Sequence, residues 1–258
     1  MNYWVDRSLK AQQALTAKSI KQTEKQLKKY YGNSMEKILG QFEKTYNKIL
    51  LSMSEGKEPT VADLYKLDTY WQMQGQLRQE LQKLGDKQIS LLSKNFELHF
   101  FDIYYSFAIP GEEAFNTIDV AVVQQLINQI WVADGQSWSQ RVWNNTSKLQ
   151  QALNDNLMNA VITGAKSGEL KKLLMNDFNV SYERADALVR TEIAHIQTQA
   201  AQKRYEDYGI QEVEVLVDED EKTCPICSKL DGKRVPIFGA MPVPAHPRCR
   251  CAIIPVVD

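Results

Sequence analysis

Two long stretches in the N-terminal half carry apolar residues at helical spacing. In residues 2–54 they recur every three or four positions, at Leu27, Tyr31, Met35, Ile38, Phe42, Tyr46 and Ile49. A break at residues 54–60 contains Gly56 and Pro59, and Thr60 is a suitable N-cap for a second helix that begins near Val61. The apolar stripe of this helix comprises Leu64, Leu67, Trp71, Leu77, Leu81 and Leu84, with the polar Gln74 in the same seam. Two such helices joined by a short turn predict an antiparallel helical hairpin.

An aromatic segment follows the second stripe and ends at Pro110 and Gly111. It contains Phe96, Phe100, Phe101, Tyr104, Tyr105 and Phe107. Because no Arg or Lys is interleaved with these rings, the segment favours core packing or an interface over stacking on nucleic-acid bases.

Shorter helices are predicted after Gly111, at about 118–131, 136–164, 167–176 and 181–206. Gly or Asn residues separate them, at 134–135, 164–168 and 176–179. Ser181 is a suitable N-cap for the last of these helices, and Gly209 is suited to its C-terminal end.

The hydrophobic period changes to two at Ile210. Val213, Val215 and Val217 alternate with other side chains, as in a half-buried strand. A hairpin signal at residues 231–232 predicts a second strand at 234–238, and a third is expected at 251–257, where Pro255 indicates a sheet edge.

The overall charge does not indicate a nucleic-acid or membrane-surface protein, since the sequence contains 31 basic and 32 acidic residues. Residues 1–50 carry an excess of six basic residues, which favours a solvated helix face over a nucleic-acid contact. The N-terminus lacks the pattern of a secretory signal, and no apolar run is long enough to span a membrane, so synthesis and retention in the cytoplasm are expected.

All four cysteines lie within the last 35 residues, which indicates a local site. Cys224 and Cys227 form a Cys-x-x-Cys pair, and His246 with Cys249 forms a second pair, so together they supply four tetrahedral ligands. Zinc is favoured over a reducible disulfide cluster or unliganded thiols. In an extended chain Cys249 and Cys251 point to opposite faces, which leaves Cys251 as a reserve ligand. Four protein ligands predict a closed, structural site.

The predicted fold class is therefore mainly α, with a small C-terminal α+β zinc-knuckle domain and a long N-terminal antiparallel helical hairpin. The predicted domains are an N-terminal long-helix region at 1–110, a central helical part at 111–209 and a small β-hairpin zinc knuckle at 210–258.

Glu192 and His195 are a weaker candidate for chemistry. They are three residues apart on one predicted helix, so they share a face. Local helix ion pairing explains them better than an active site, because no Ser or Cys nucleophile accompanies them. The acidic run at residues 218–221 is similarly read as a solvated turn before the knuckle. No catalytic residue is predicted.

The C-terminal motifs resemble a known family. These are Leu188-Val-Arg190-Thr-Glu192, then Tyr205 and Gly209, then Asp220-Glu-Lys-Thr-Cys224-Pro-Ile-Cys227, Leu230-Asp231-Gly232 and Pro244-Ala-His246-Pro-Arg-Cys249-Arg-Cys251. Over about residues 135–255 they resemble the Mu F-like domain of tailed-phage head morphogenesis proteins, also called minor head or minor capsid proteins. The N-terminal helices resemble phage minor capsid proteins only in general character.

The resemblance implies a virion component in few copies, located in the phage head near the portal and assembled in the host bacterial cytoplasm. Implied partners are the portal protein, scaffolding or major capsid protein and packaged DNA, and the implied role is head assembly, DNA packaging or delivery, without established catalysis. It also implies a metal knuckle of Cys224, Cys227, His246 and Cys249, and a structural pair, Arg190 with Glu192, that joins helix to knuckle. Some relatives continue into effector domains, and no appended activity is expected here.

Two other functions stay open. One is a zinc-dependent hydrolase or nuclease delivered with the phage genome, which would use Glu192, His195 or the acidic run beside the metal. The other is a host-encoded nucleic-acid-binding protein with a basic helical arm, which the near-neutral charge disfavours.

Overall fold

The described structure, a computed structural model, covers residues 3–53, 60–107, 117–217, 221 and 223–256. Its helices are α1 Tyr3–Met53, α2 Val61–Tyr65, α3 Asp68–Ser106, α4 Val120–Ile127, α5 Trp138–Thr163, α6 Ser167–Asp207 and α7 Pro225–Ser228. Its strands are β1 Glu212–Leu216, β2 Arg234–Pro236 and β3 Ala252–Pro255. The mainly helical fold with a small C-terminal sheet is confirmed.

The chain divides into two compact units that each combine separate segments. Unit 1 comprises residues 1–24, 91–138 and 187–258, and unit 2 comprises residues 25–90 and 139–186. The domain boundaries predicted near residues 110 and 209 stay a prediction.

In unit 2, α1 and α3 pack in opposite directions. The Tyr31 hydroxyl donates to the Gln88 side chain at 3.3 Å, and the Ser34 hydroxyl, one turn later, donates to Glu80 at 3.1 Å. Residues further along α1 thus pair with residues earlier in α3. The two helices are therefore antiparallel, as in the predicted hairpin. The connecting residues 54–59 lie outside the described part of the chain. The unit's core contains most of the predicted stripes and residues from α5 and α6, among them Ile38, Phe42, Tyr46, Leu77, Leu81, Leu84, Leu153, Leu157, Leu174 and Phe178.

The second stripe differs from its prediction in two respects. A capping box between Thr60 and Asp63 begins α2, which ends after five residues, and α3 then begins at Asp68. Trp71, predicted to be apolar seam, is 54% exposed, because its indole N–H donates to the Tyr65 carbonyl and its ring stacks on the Tyr65 ring. Gln74 lies on the buried side, where it donates to Asn154 at 2.7 Å.

The aromatic segment is the C-terminal part of α3 and is mostly core. Phe96, Phe100 and Tyr104 are buried, as is Phe107 just beyond the helix, whereas Tyr105 is half exposed. Core packing is therefore confirmed for four of the six rings. The predicted stop at Pro110 and Gly111 lies outside the described residues.

The predicted helix break at residues 176–179 is wrong, because α6 runs without interruption from Ser167 to Asp207. Tertiary contacts outweigh the weak helix propensity of the two asparagines. The Phe178 side chain is buried in unit 2, and the Asp177 carboxylate accepts a 2.7 Å hydrogen bond from Asn156. Ser181, predicted as an N-cap, is buried inside the helix, and its carbonyl accepts from the Asn145 side chain at 2.8 Å.

In unit 1 the strands form one antiparallel sheet in the order β2-β1-β3. Pro255 lies on β3 at an edge of this sheet, as predicted. Residues 217–233 connect β1 to β2 and carry the Cys-x-x-Cys motif. The Asp231 carboxylate accepts from the Val217 main chain at 2.9 Å, and Gly232, with φ +69°, donates to the Val215 carbonyl. The turn residues therefore close this connection back onto β1.

Helix α6 is hydrogen-bonded to the sheet region through two side chains. The Gln202 amide donates to the carbonyls of Ile237 at 2.7 Å and Gly239 at 3.1 Å. The Tyr205 hydroxyl donates to the Ile253 carbonyl at 3.3 Å and accepts from Gln12 of α1 at 3.0 Å. The sheet is thus attached to the helix that carries the Arg190-Thr-Glu192 motif.

Replacing Gly85 with alanine is expected to destabilise the protein by about 1–3 kcal/mol. A Cβ at this position of α3 meets the Trp143 ring, lying 2.6 Å from Cη2 and 2.9 Å from Cε3 and also contacting Cζ3. Gly75 of the same helix has nothing within 4 Å of its Cβ position, so Gly75→Ala should stabilise by up to about 1 kcal/mol. Urea unfolding followed by circular dichroism measures both, and equal stabilisation would contradict the steric account.

Candidate metal centre

The first pair of thiols is held by the short helix α7. Cys224 is its N-cap, with extended backbone angles, and Pro225 occupies the first helical turn, where its missing N–H costs nothing. The Cys227 main-chain N–H donates to the Cys224 sulfur at 3.4 Å. The Cys-x-x-Cys sequence therefore forms a tight turn that brings both sulfurs to one side.

His246 approaches both of these sulfurs with one ring nitrogen. Its Nε2 lies 3.2 Å from the Cys224 Sγ and 3.0 Å from the Cys227 Sγ. Its Nδ1 lies 2.8 Å from the Pro247 carbonyl, which only accepts, so Nδ1 carries the proton. In the neutral ring Nε2 then presents its lone pair to the thiols, which is the tautomer of a metal-bound histidine whose other nitrogen is held by a carbonyl.

Cys249 and Cys251 both join the cluster. The sulfurs of Cys227 and Cys249 are 3.8 Å apart, and those of Cys227, Cys249 and Cys251 all lie within 4.8 Å of one another. The expectation that Cys249 and Cys251 point to opposite faces is wrong, because the chain is not a regular strand here. β3 begins only at Ala252, after both cysteines.

The donors form two overlapping groups that share Cys227. One group is Cys224, Cys227 and His246, and the other is Cys227, Cys249 and Cys251. Thiolates and imidazole are typical zinc ligands, and Zn–S bonds of about 2.3 Å at tetrahedral angles place sulfurs about 3.8 Å apart, as Cys227 and Cys249 are. The chemistry of the donor set fits a zinc ion. Since five donors surround a site that needs four, the assignment of Cys249 as ligand and Cys251 as reserve stays a prediction.

The thiols of the cluster differ in acidity. A hydrogen bond from the Cys251 thiol lowers the pKa of Cys249 to about 5, and the same bond raises the pKa of Cys251. Burial raises the pKa of Cys227 to about 11, whereas the main-chain N–H of Cys227 lowers the pKa of Cys224. In the absence of a cation the sulfurs thus share protons, and a divalent cation bound among them would displace those protons.

Arg190, Glu192 and His195 of α6 make separate contacts within unit 1. Arg190 forms an ion pair with Glu24 of α1. Glu192 is buried and accepts a 3.1 Å hydrogen bond from the Trp131 indole N–H, and the His195 ring stacks on the same indole at 4.1 Å. Burial lowers the pKa of His195 to about 4, so its ring is neutral at pH 7. The role of Arg190 and Glu192 in joining helix to knuckle stays a prediction.

Sequence reasoning missed two residues in this region. Trp131 connects Glu192 and His195, and the Thr191 hydroxyl accepts from the Arg248 main chain at 3.0 Å. Thr191 stands between the two residues singled out from the motif, and that adjacency was the one available signal. Nothing in the spacing of Trp131 indicated its contacts.

The hydrolase or nuclease alternative also involves the acidic run at residues 218–221. Asp218, Glu219 and Asp220 lie outside the described residues, and Glu221 is exposed.

Among the helices that the structure describes, none combines the length and apolar character needed to cross a membrane.

Comparison with known proteins confirms the family resemblance over the C-terminal part of the chain. Residues 151–254 match the family described as Phage Mu protein F like protein, a slightly shorter range than the predicted 135–255. A relative from Enterococcus faecalis (strain ATCC 700802 / V583), named NAD(+)--arginine ADP-ribosyltransferase EFV, is 25% identical over 180 residues. The match covers 60% of this chain and 36% of that protein, so the chain spans about a third of the relative's length. No solved structure matches.

Proposed function

We propose that this chain, whose residues 151–254 match the Mu F-like phage family, is a non-enzymatic minor head protein of a tailed phage. The family match is the observation that carries the proposal, because it supports a phage head morphogenesis protein. In this proposal the protein is a component of the virion head near the portal and acts in head assembly, DNA packaging or DNA delivery.

The metal centre is proposed to be structural. The cluster contains five protein donors, one more than a tetrahedral zinc site uses, so the ion needs no water ligand to complete its coordination. A catalytic zinc, by contrast, keeps one position open for water or substrate. The ion would cross-link the α7 turn to residues 246–251, a segment that lies beyond β2 in the sequence.

The proposed partners are the portal protein first, then scaffolding or major capsid protein and packaged DNA. The Mu F-like match supports assembly with other head proteins. The long helices α1, α3 and α6, of 51, 39 and 41 residues, provide extended surfaces for such contacts.

The direct test is mass spectrometry of purified heads and finished particles from the phage that encodes the chain. We expect the protein in both, at fewer copies than the major capsid protein, and expect it to co-purify with the portal when the two are expressed together. Its absence from heads and particles would contradict the proposal.

The alternative hydrolase or nuclease is tested separately. Zinc-loaded protein is incubated with DNA, RNA and a chromogenic ester, with Cys224→Ser as the control. We expect no difference in hydrolysis between the two, because the described contacts direct Glu192 and His195 onto Trp131. Turnover by the zinc-loaded protein alone would favour the enzyme. The transferase activity in the relative's name belongs to a protein of which this match covers 36%.

A further inference from the structure

We propose that Thr191 of α6 is a positioning residue for the metal centre, an inference that rests on the proposed metal binding. Its hydroxyl holds the turn between His246 and Cys249 in the conformation that aims both side chains at the ion. Thr191 lies 57 residues before the turn in sequence and supplies no ligand atom itself.

The Thr191 hydroxyl is oriented by two hydrogen bonds with opposite roles. It donates to the Ala187 carbonyl one turn earlier in α6, at 2.6 Å. Because its single proton is used there, its lone pairs are free to accept, and the Arg248 main-chain N–H donates to it at 3.0 Å. The helix thus fixes the direction of an acceptor that points at the metal loop.

Arg248, whose main-chain N–H donates to the Thr191 hydroxyl, has an unusual backbone conformation. Arg248 has φ +62°, the one positive value at a non-glycine position in the described chain. Residues with a Cβ adopt this left-handed region at a cost and persist there when surrounding contacts impose it. The hydrogen bond from Thr191 is such a contact, because it engages the N–H of the strained residue itself.

The conformation of Arg248 determines how two cluster donors face each other. The Cys249 N–H donates to the His246 carbonyl at 3.2 Å, which closes a turn with Pro247 and Arg248 at its centre. Cys249 follows Arg248 directly, and its sulfur lies 3.8 Å from that of Cys227. Relaxing Arg248 to φ below zero would move the donors on either side of it apart.

A second pair of contacts provides a matched control. Gln202 lies on the same helix and donates to the carbonyls of Ile237 and Gly239, beyond the end of β2 and outside the donor set. Removing this side chain weakens the attachment of α6 to the sheet region without touching the metal loop. Gln202→Leu therefore separates general loosening from loss of the Thr191 contact.

The test measures zinc affinity of the full chain by competition with a chromophoric chelator. We expect Thr191→Val to bind zinc about 10–100-fold more weakly, the usual effect of losing a residue that orients a ligand. Thr191→Ser, which keeps the hydroxyl, and Gln202→Leu should stay within about threefold of the unchanged protein. The cobalt-substituted Thr191→Val protein should show altered ligand-field bands.

Rescue distinguishes positioning from a merely structural role. Glycine adopts the left-handed region without strain, so adding Arg248→Gly to Thr191→Val should restore most of the lost affinity. Arg248→Val, whose branched side chain opposes that region, should weaken binding on its own, even if Thr191→Val folds poorly. Zinc affinity of Thr191→Val equal to that of the unchanged protein, or no rescue by glycine, would overturn the role of Thr191. Failure of the unchanged protein to bind zinc or cobalt would instead overturn the metal centre and this inference with it.

Discussion

Replacing Cys227 with serine is expected to lower zinc affinity by more than 100-fold and to unfold the metal knuckle. Cys227 belongs to both donor groups, and its sulfur lies 3.0 Å from His246 Nε2 and 3.8 Å from Cys249 Sγ. Loss of a direct ligand exceeds the 10–100-fold effect of losing a residue that only orients one. Because the ion supplies folding free energy to such a site, hydrogen exchange should accelerate in residues 223–256 while α1, α3 and α5 stay protected.

Two controls make this result specific. Ser228 follows Cys227 on the same turn, and its hydroxyl donates to the Cys224 carbonyl. Because Ser228 is not one of the metal donors, Ser228→Ala should keep the metal. Cys251→Ser should also keep it if Cys249 is the ligand and Cys251 the reserve. Retention of zinc by Cys227→Ser, or loss of all helical signal on its substitution, would contradict the account of a local knuckle.

Lowering the pH from 7 to 4 is expected to destabilise unit 1 through His99. Burial lowers the pKa of His99 from 6.5 to about 4. Between these two pH values the unfolded chain binds a proton at His99 that the folded protein does not. The contribution of neutral His99 to the free energy of unfolding is therefore fully present above pH 6.5 and is lost as the pH falls toward 4. The lowered pKa corresponds to roughly 3 kcal/mol for this one side chain.

The measurement is urea unfolding at pH 7 and pH 4.5, with a chelator present so that release of metal does not contribute. His99→Gln keeps a polar side chain of similar length that does not titrate, and it should lose about 2–3 kcal/mol less than the unchanged protein over this interval. An identical pH dependence in the two proteins would show that His99 is protonated without cost in the folded state.

Local patterns were sufficient to predict most of the fold. The α1 stripe is buried where a period of three to four residues places it, and the alternation at Val213 and Val215 identifies β1. The Cys-x-x-Cys and His-x-x-Cys spacings identified the cluster, because each pair is close through a short turn. In each case the residues that form the pattern lie within a few positions of one another along the chain.

Predictions failed where distant contacts decide the local structure. Asn176 and Asn179 do not end α6, because Phe178 and Ser181 are held in the core of unit 2. Cys251 joins the cluster because residues 249–251 are not part of a regular strand, which begins only at Ala252. The contacts of Thr191 and Trp131 bridge 57 and 61 residues, and no periodicity encodes them.

The most direct test of the metal centre is the metal content of the purified full chain, determined by elemental analysis after expression without added chelator. The account predicts about one zinc per chain, lost in Cys227→Ser and kept in Ser228→Ala. A chain that contains no metal, with five donors that bind neither zinc nor cobalt on addition, would contradict it.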